Sequence, residues 1–245
     1  MTVYDIRPAS GRFRTDTDWL RSRHSFSFSR HYDPANTHFG MLLVSNDDVV
    51  APGTGFDTHP HRDMEIVTWV LSGSLVHQDS EGHNGVIHPG LAQRMSAGSG
   101  ILHSEKNDHF EAAGLDPVRF VQMWVLPDEA GITPGYEQLD VTSQLDAGGL
   151  VPVASGRPGH DAAIRIHQKD AALHVARLAP GESVALPTAP FVHLFVAKGA
   201  VTLEGAGPLD EGDAARITAA EGQHLTATAP AEVLLWEMHA TPGAA

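Results

Sequence analysis

Short runs of alternating or continuous apolar residues, broken by glycine and proline, dominate the chain and have the period of strands rather than helices. His-Ser-Phe-Ser-Phe-Ser-Arg at 24–30 alternates strictly and predicts a strand that buries Phe26 and Phe28. Phe39–Asn46 predicts another, followed by turn chemistry at Asp47-Asp48 and Ala51-Pro52-Gly53. Glu65–Leu71, rich in Ile, Val, Thr and Trp, reads as a buried strand, with Ser74–Gln78 returning as its hairpin partner across Ser72-Gly73. Ala92–Ser96, Ile101–Lys106 and Arg119–Leu126 follow, separated by turns at His88-Pro89-Gly90 and Gly98-Ser99-Gly100. Helical periodicity is weak, and only Asp16–Arg23 and the region near Ala171 leave room for short helical turns.

Composition shifts after Pro127. Residues 127–160 are rich in glycine and proline and read as a connector holding one strand. Short strands then resume at Ala163–His167, Leu173–Leu178, Phe191–Ala197, Ala200–Leu203, Ala214–Ile217, His224–Ala227 and Val233–His239. The spacing of Gly53, Gly73 and Pro89-Gly90 is echoed by Gly181, Gly199 and Glu211-Gly212-Asp213, which predicts an internal duplication. The expected fold is all-β, with two antiparallel β-barrel units at 1–135 and 136–245.

The 245 residues are enough to bury a core without covalent staples, and the chain has no cysteine. Thiolate nucleophiles, Cys-ligated zinc and iron–sulfur clusters are thereby excluded. The opening MTVYDIRPASGRF has no apolar signal core, and no apolar run is long enough to span a bilayer, so a soluble cytoplasmic protein is expected. The formal net charge of −14 argues against a nucleic-acid surface. The arginines of the first thirty residues (Arg7, Arg12, Arg14, Arg21, Arg23, Arg30) are interleaved with acids and read as ion-pair partners.

Sixteen histidines are the unusual feature, and seven fall between 59 and 109. His59-Pro60-His61 and His103-Ser104-Glu105 each place two metal-ligating side chains two residues apart, which on a strand is one face. Two such strands facing each other would gather three imidazoles and a carboxylate, a donor set suited to divalent first-row metals. Glu65 has the same parity as His59 and His61 and competes with Glu105 for the acidic place. His77, His83, His88 and His109 are expected on loops or outer faces. In the second unit the corresponding positions hold Pro187, Thr188 and Ala189, and His193, His224 and His239 read as ordinary surface or core histidines. No phosphate-binding loop, complete dinucleotide fingerprint or serine nucleophile elbow is present.

Gly53, His59, His61, Glu65 and Gly73 meet the first cupin motif; Gly100, His103 and Asn107 meet the later half of the second, with Ala92 and Gly98 in its earlier places. Across about residues 23–138 the stretches RHSFSFSRHYDP, NTHFG, NDDVVAPGTGFDTHPHRDMEIVTWVLSG, MSAGSGILHSE and LPDEAGITPGYEQ resemble the pirin family, particularly its bacterial quercetinase-like members. The resemblance implies a bicupin of two jelly-roll barrels whose N-terminal barrel alone holds metal, on His59, His61, His103 and Glu105, with Glu65 behind them. It implies one divalent transition metal, Fe(II) foremost, with Ni, Co, Cu, Mn or Zn tolerated. It also implies a dioxygenase that cleaves quercetin-type flavonols with O2 and releases carbon monoxide, Glu105 serving as base. A monomer is expected. The alternative the family suggests is a metal-dependent redox sensor that regulates a protein partner.

Overall fold

The computed structural model describes residues 1–107 and 116–243; His109 lies outside them. The chain begins with β1 (Val3–Arg7), β2 (Phe13–Asp16), β3 (Leu20–His24), β4 (Leu42–Val50), β5 (Gly55–His61) and β6 (Glu65–Ser72). It continues with β7 (Leu75–Asp79), β8 (Asn84–Ile87), β9 (Leu91–Ser96), β10 (Ile101–Lys106) and β11 (Val118–Val125). Next come β12 (Gly135–Asp140), the short helix α1 (Thr142–Asp146), β13 (Val151–Ser155), β14 (Ile164–Arg165), β15 (Ala171–Leu178) and β16 (Ser183–Ala185). The last strands are β17 (Thr188–Lys198), β18 (Ala200–Leu203), β19 (Gly207–Asp210), β20 (Ala214–Glu221), β21 (His224–Ala227) and β22 (Ala231–Met238). No helix among the described residues is long and apolar enough to cross a membrane.

The strands build one plan twice, the bicupin architecture. In the first unit the long sheet β12-β9-β6-β11-β4-β3-β2 faces the short sheet β5-β10-β7-β8. In the second, β1-β20-β17-β22-β15-β13-β14 faces β16-β21-β18-β19. One edge strand of the second long sheet comes from the chain start, where Tyr4 pairs with Ile217. Alternation along β6 sends Val70 into the first barrel beside Leu75, Ile87 and Phe120, and sends Val67, Trp69 and Leu71 outward. There they meet Leu173, Val175, Leu234 and Trp236 of the second long sheet in a shared core. Two indole donors are satisfied across it, Trp69 Nε1 to Glu232 Oε1 at 2.6 Å and Trp236 Nε1 to Met123 Sδ at 3.2 Å.

Several expected elements differ. Strand β3 stops at His24; Phe26 is buried beneath the Arg216 guanidinium, 4.4 Å from its ring, while Phe28 is only half-buried. The chain leaves the sheet because Ser27 bonds Asp33 through its hydroxyl and Ser29 takes a positive φ of 53°. Asp47-Asp48 is not a turn but the buried middle of β4. Arg119 grips Asp47 with two hydrogen bonds of 3.0 Å, and burial pushes Asp48 up to about 7. Residues 74–78 are no hairpin partner of β6: the chain crosses at Gly73 (φ 75°) to the short sheet, where β7 pairs with β10 and β8. Residues 16–23 lie in the β2–β3 hairpin and Ala171 opens β15, so neither is helical. The connector holds β12 and β13 as well as α1.

Candidate metal centre

Strands β5 and β10 run antiparallel with His103 opposite His59 and Ile101 opposite His61. Alternation sends the three imidazoles inward and leaves Leu102 exposed. Their ring centroids lie 4.8 Å (His59–His61), 4.5 Å (His59–His103) and 4.9 Å (His61–His103) apart. One nitrogen from each lies within 4.8 Å of the other two. His59 Nδ1 donates to Asp57 O at 2.7 Å, which leaves its Nε2 bare. His61 Nε2 and His103 Nε2 are buried and have no hydrogen-bond partner. A buried polar atom without a partner costs about 1–3 kcal/mol, and a shared cation is an occupant that would remove that cost at His61 and His103 together. The residues fit a divalent metal.

Electrostatics keep the rings in ligand form. Burial, then the neighbouring His103 and His59, pushes His61 down to about 4. Burial, then His59 and His77, pushes His103 down to about 3. Both are neutral at pH 7, as coordination requires.

Behind His103 stands a supporting chain. His103 Nδ1 lies 3.5 Å from His77 Nδ1, and His77 Nε2 lies 3.1 Å from Asp79 Oδ2. Asp79 accepts from His77, which puts that proton on Nε2, leaves His77 Nδ1 to accept from His103, and so bares His103 Nε2. Burial would raise Asp79, but the bonds from His77 and His83 outweigh it and hold the carboxyl below its usual range. His77 was expected on a loop or outer face; it is fully buried on β7.

Glu105 is buried beside the imidazoles. A bulge between His103 and Glu105 shifts the pairing, setting Glu105 opposite Phe56. Gly55 permits this approach: a Cβ there would meet Glu105 O at 2.2 Å. Glu105 Oε2 accepts from Gln122 Nε2 at 2.7 Å, and Gln122 Oε1 accepts from Trp124 Nε1 at 3.0 Å. Oε1 accepts only a long bond of 3.4 Å from Thr68. A carboxylate oxygen of Glu105 lies within 4.8 Å of ligand nitrogens on His77 and His103. Trp124 stands edge-on to His61 at 4.9 Å, and Phe28 edge-on to Trp124 at 5.6 Å, walling one side. Asn107 is structural, its amide donating to Val50 O and Asp116 O.

Glu65 faces the other way. The turn at 62–64, where Asp63 takes φ 50°, resets the parity between β5 and β6. The Glu65 carboxylate looks toward the second unit, accepting from Ser96 Oγ (2.9 Å) and His167 N (3.0 Å), so it does not back the ligands. From sequence, His77 is misplaced on a loop or outer face, and Asp79, Thr68, Gln122 and Trp124 are not singled out. His77 and Asp79 carry the same two-residue spacing as the ligand phrases, and that was the available signal.

Comparison with known proteins agrees with this geometry. Residues 6–125 match the Pirin family model and residues 153–238 match the Quercetinase C-terminal cupin domain. A Mycobacterium tuberculosis protein named "Putative quercetin 2,3-dioxygenase" is 62% identical over 98% of this chain and 96% of its own. The quercetin 2,3-dioxygenase of Escherichia coli K12 is 37% identical over 95% of this chain and 97% of its own. The crystal structure of the E. coli pirin YhhW in complex with nickel(II) superposes with a TM-score of 0.86 at 36% identity, covering 98% of this chain and all of that one. With both halves matched and relatives aligned along nearly the whole length, this chain belongs to the pirin family of bicupins.

Proposed function

We propose that the protein is a metal-dependent dioxygenase that opens the central ring of quercetin-type flavonols with O2. The observation that carries this reading is the convergence of His59, His61 and His103 beside a buried carboxylate, with the Nε2 atoms of His61 and His103 buried and unpartnered. The names of the relatives support the substrate class. His59, His61, His103 and Glu105 would hold the ion, which we read as Fe(II), nickel being the ion bound by the E. coli relative. When bound, such an ion supplies Lewis acidity toward the flavonol 3-oxygen and the redox reach that O2 chemistry needs.

The chain's own residues supply the rest. Glu105 Oε1, with only the long Thr68 bond on it, accepts the proton of the 3-hydroxyl. Gln122 holds Oε2 and is itself fixed by Trp124, so the base keeps one orientation. Trp124 and Phe28 offer an apolar wall for the flat rings and keep water from the reacting face.

The test is quercetin consumption and oxygen uptake by iron-loaded protein, aerobic against anaerobic, with Glu105→Ala alongside. Oxygen-dependent loss of quercetin in the parent and none in the variant is expected. No oxygen uptake with quercetin or related flavonols would overturn the assignment, and unchanged turnover in the variant would remove Glu105 from it.

A further inference from the structure

We propose that the second barrel carries its own divalent-cation site, formed by His160, His174 and Glu237 at the barrel mouth. Neighbouring strands β15 and β22 set Glu237 opposite Ala172 and His174 opposite Leu235. Positions 172, 174, 235 and 237 therefore share one face, the face whose Ala176, Val233 and Leu235 build the second barrel's apolar interior. His174 and Glu237 are the polar pair at the end of that face, both buried. The loop after β13 folds His160 over them. Its ring stands at 76° to that of His174, with centroids 5.4 Å apart.

Ligand atoms of the three residues lie within 4.8 Å of one another, and His174 Nε2 is 3.0 Å from Glu237 Oε2. Two imidazoles and one carboxylate are a donor set that suits Zn(II) or Fe(II). The decisive sign is His160 Nδ1, which is buried without a hydrogen-bond partner, as are His61 Nε2 and His103 Nε2 in the first barrel. His239 Nε2 (2.9 Å) and Arg157 Nη1 occupy Glu237 Oε1, which orients the carboxylate and keeps Oε2 turned toward the histidines. Burial would raise Glu237, but the bonds from His174 and His239 and the charge of Arg157 outweigh it and pull the carboxyl down to about 2, so it is ionised at neutral pH. Arg157 also repels a cation, so this site binds more weakly than the first. Of the three residues, His160 also borders a surface cavity of about 470 Å³, with Arg157, Asp161 and Arg165.

The experiment removes the first site by His59→Ala with His103→Ala, strips the protein with chelator, and titrates it with Zn(II) against a chromophoric chelator. Expected are two zinc ions per wild-type chain, one in the double variant, and none once His160→Ala is added. In the double variant Co(II) should give a visible ligand-field band that His160→Ala abolishes. His160 lies in a half-exposed loop, and an unchanged metal-free melting temperature verifies that its removal leaves the fold intact. Zinc should raise the melting temperature of the double variant and not of the triple one. No zinc bound by the folded double variant, or one equivalent that survives both His160→Ala and Glu237→Gln, would overturn the proposal.

Discussion

The two barrels share a strand plan and differ in which inward faces are polar. In the first, the short sheet gathers the candidate ligands, His59 and His61 on β5 beside His103 and Glu105 on β10. The equivalent strands of the second, β16 and β21, present Val184 opposite Leu225, and β18 adds Leu203, all within an apolar core. Its buried polar residues lie instead on the long sheet, at His174 and Glu237. The buried pairs His103–Glu105 and His174–Glu237 thus lie on different sheets of their barrels. In the first barrel Asp79 and His77 hold the His103 ring from behind.

The largest effect that would sharpen this contrast is loss of a first-barrel ligand. His103→Ala should abolish metal at that site and reduce quercetin turnover to background, whereas Val184→Ala in the second barrel should leave turnover unchanged, as metal analysis and oxygen uptake would show. Next is the core shared by the barrels. Trp236→Ala should cost about 3–5 kcal/mol in denaturant unfolding, because Trp236 is nearly fully buried between the two long sheets. A loss below 1 kcal/mol would mean that the barrels do not depend on each other. Smaller again, Asp79→Asn should weaken metal affinity by roughly 10–100-fold through the His77–His103 chain, read by chelator competition. Unchanged affinity would make that chain a packing feature only.

A further effect concerns acid stability. In the unfolded chain an imidazole titrates near 6.5; in the fold burial, then Arg216 and Arg12, pushes His193 down to about 3. The folded value lies below the unfolded one, so this contribution is complete above about pH 6.5 and is lost progressively as pH falls toward 3. His193→Gln should flatten the decline of melting temperature between pH 7 and pH 4. An unaltered slope would remove His193 from the acid response.

Local pattern was enough for much of the fold. Ile101–Lys106, Ala200–Leu203 and His224–Ala227 were expected with the bounds observed, since short alternating runs between glycines carry their own period. What escaped depends on partners distant in sequence. Asp47-Asp48 has the composition of a turn, but flanking strands β3 and β11 make it a strand interior, with Arg12 and Arg119, the latter 72 residues away, paired to Asp47. β1 is framed by a sheet more than 200 residues downstream. At the site, the paired histidines were legible because two-residue spacing on a strand means one face. Gln122 and Trp124 were not, because their role arises from β11 lying next to β6 across the barrel. Glu65 misled because parity does not survive the turn at 62–64.

The central claim is that four side chains of the first barrel hold one catalytic ion. Anomalous diffraction at the iron edge from crystals grown with Fe(II) tests it most directly. The account predicts a peak at about 2.0–2.2 Å from the Nε2 atoms of His59, His61 and His103 and from a Glu105 oxygen. A first barrel without a peak, or an ion bound there without these residues, would contradict it.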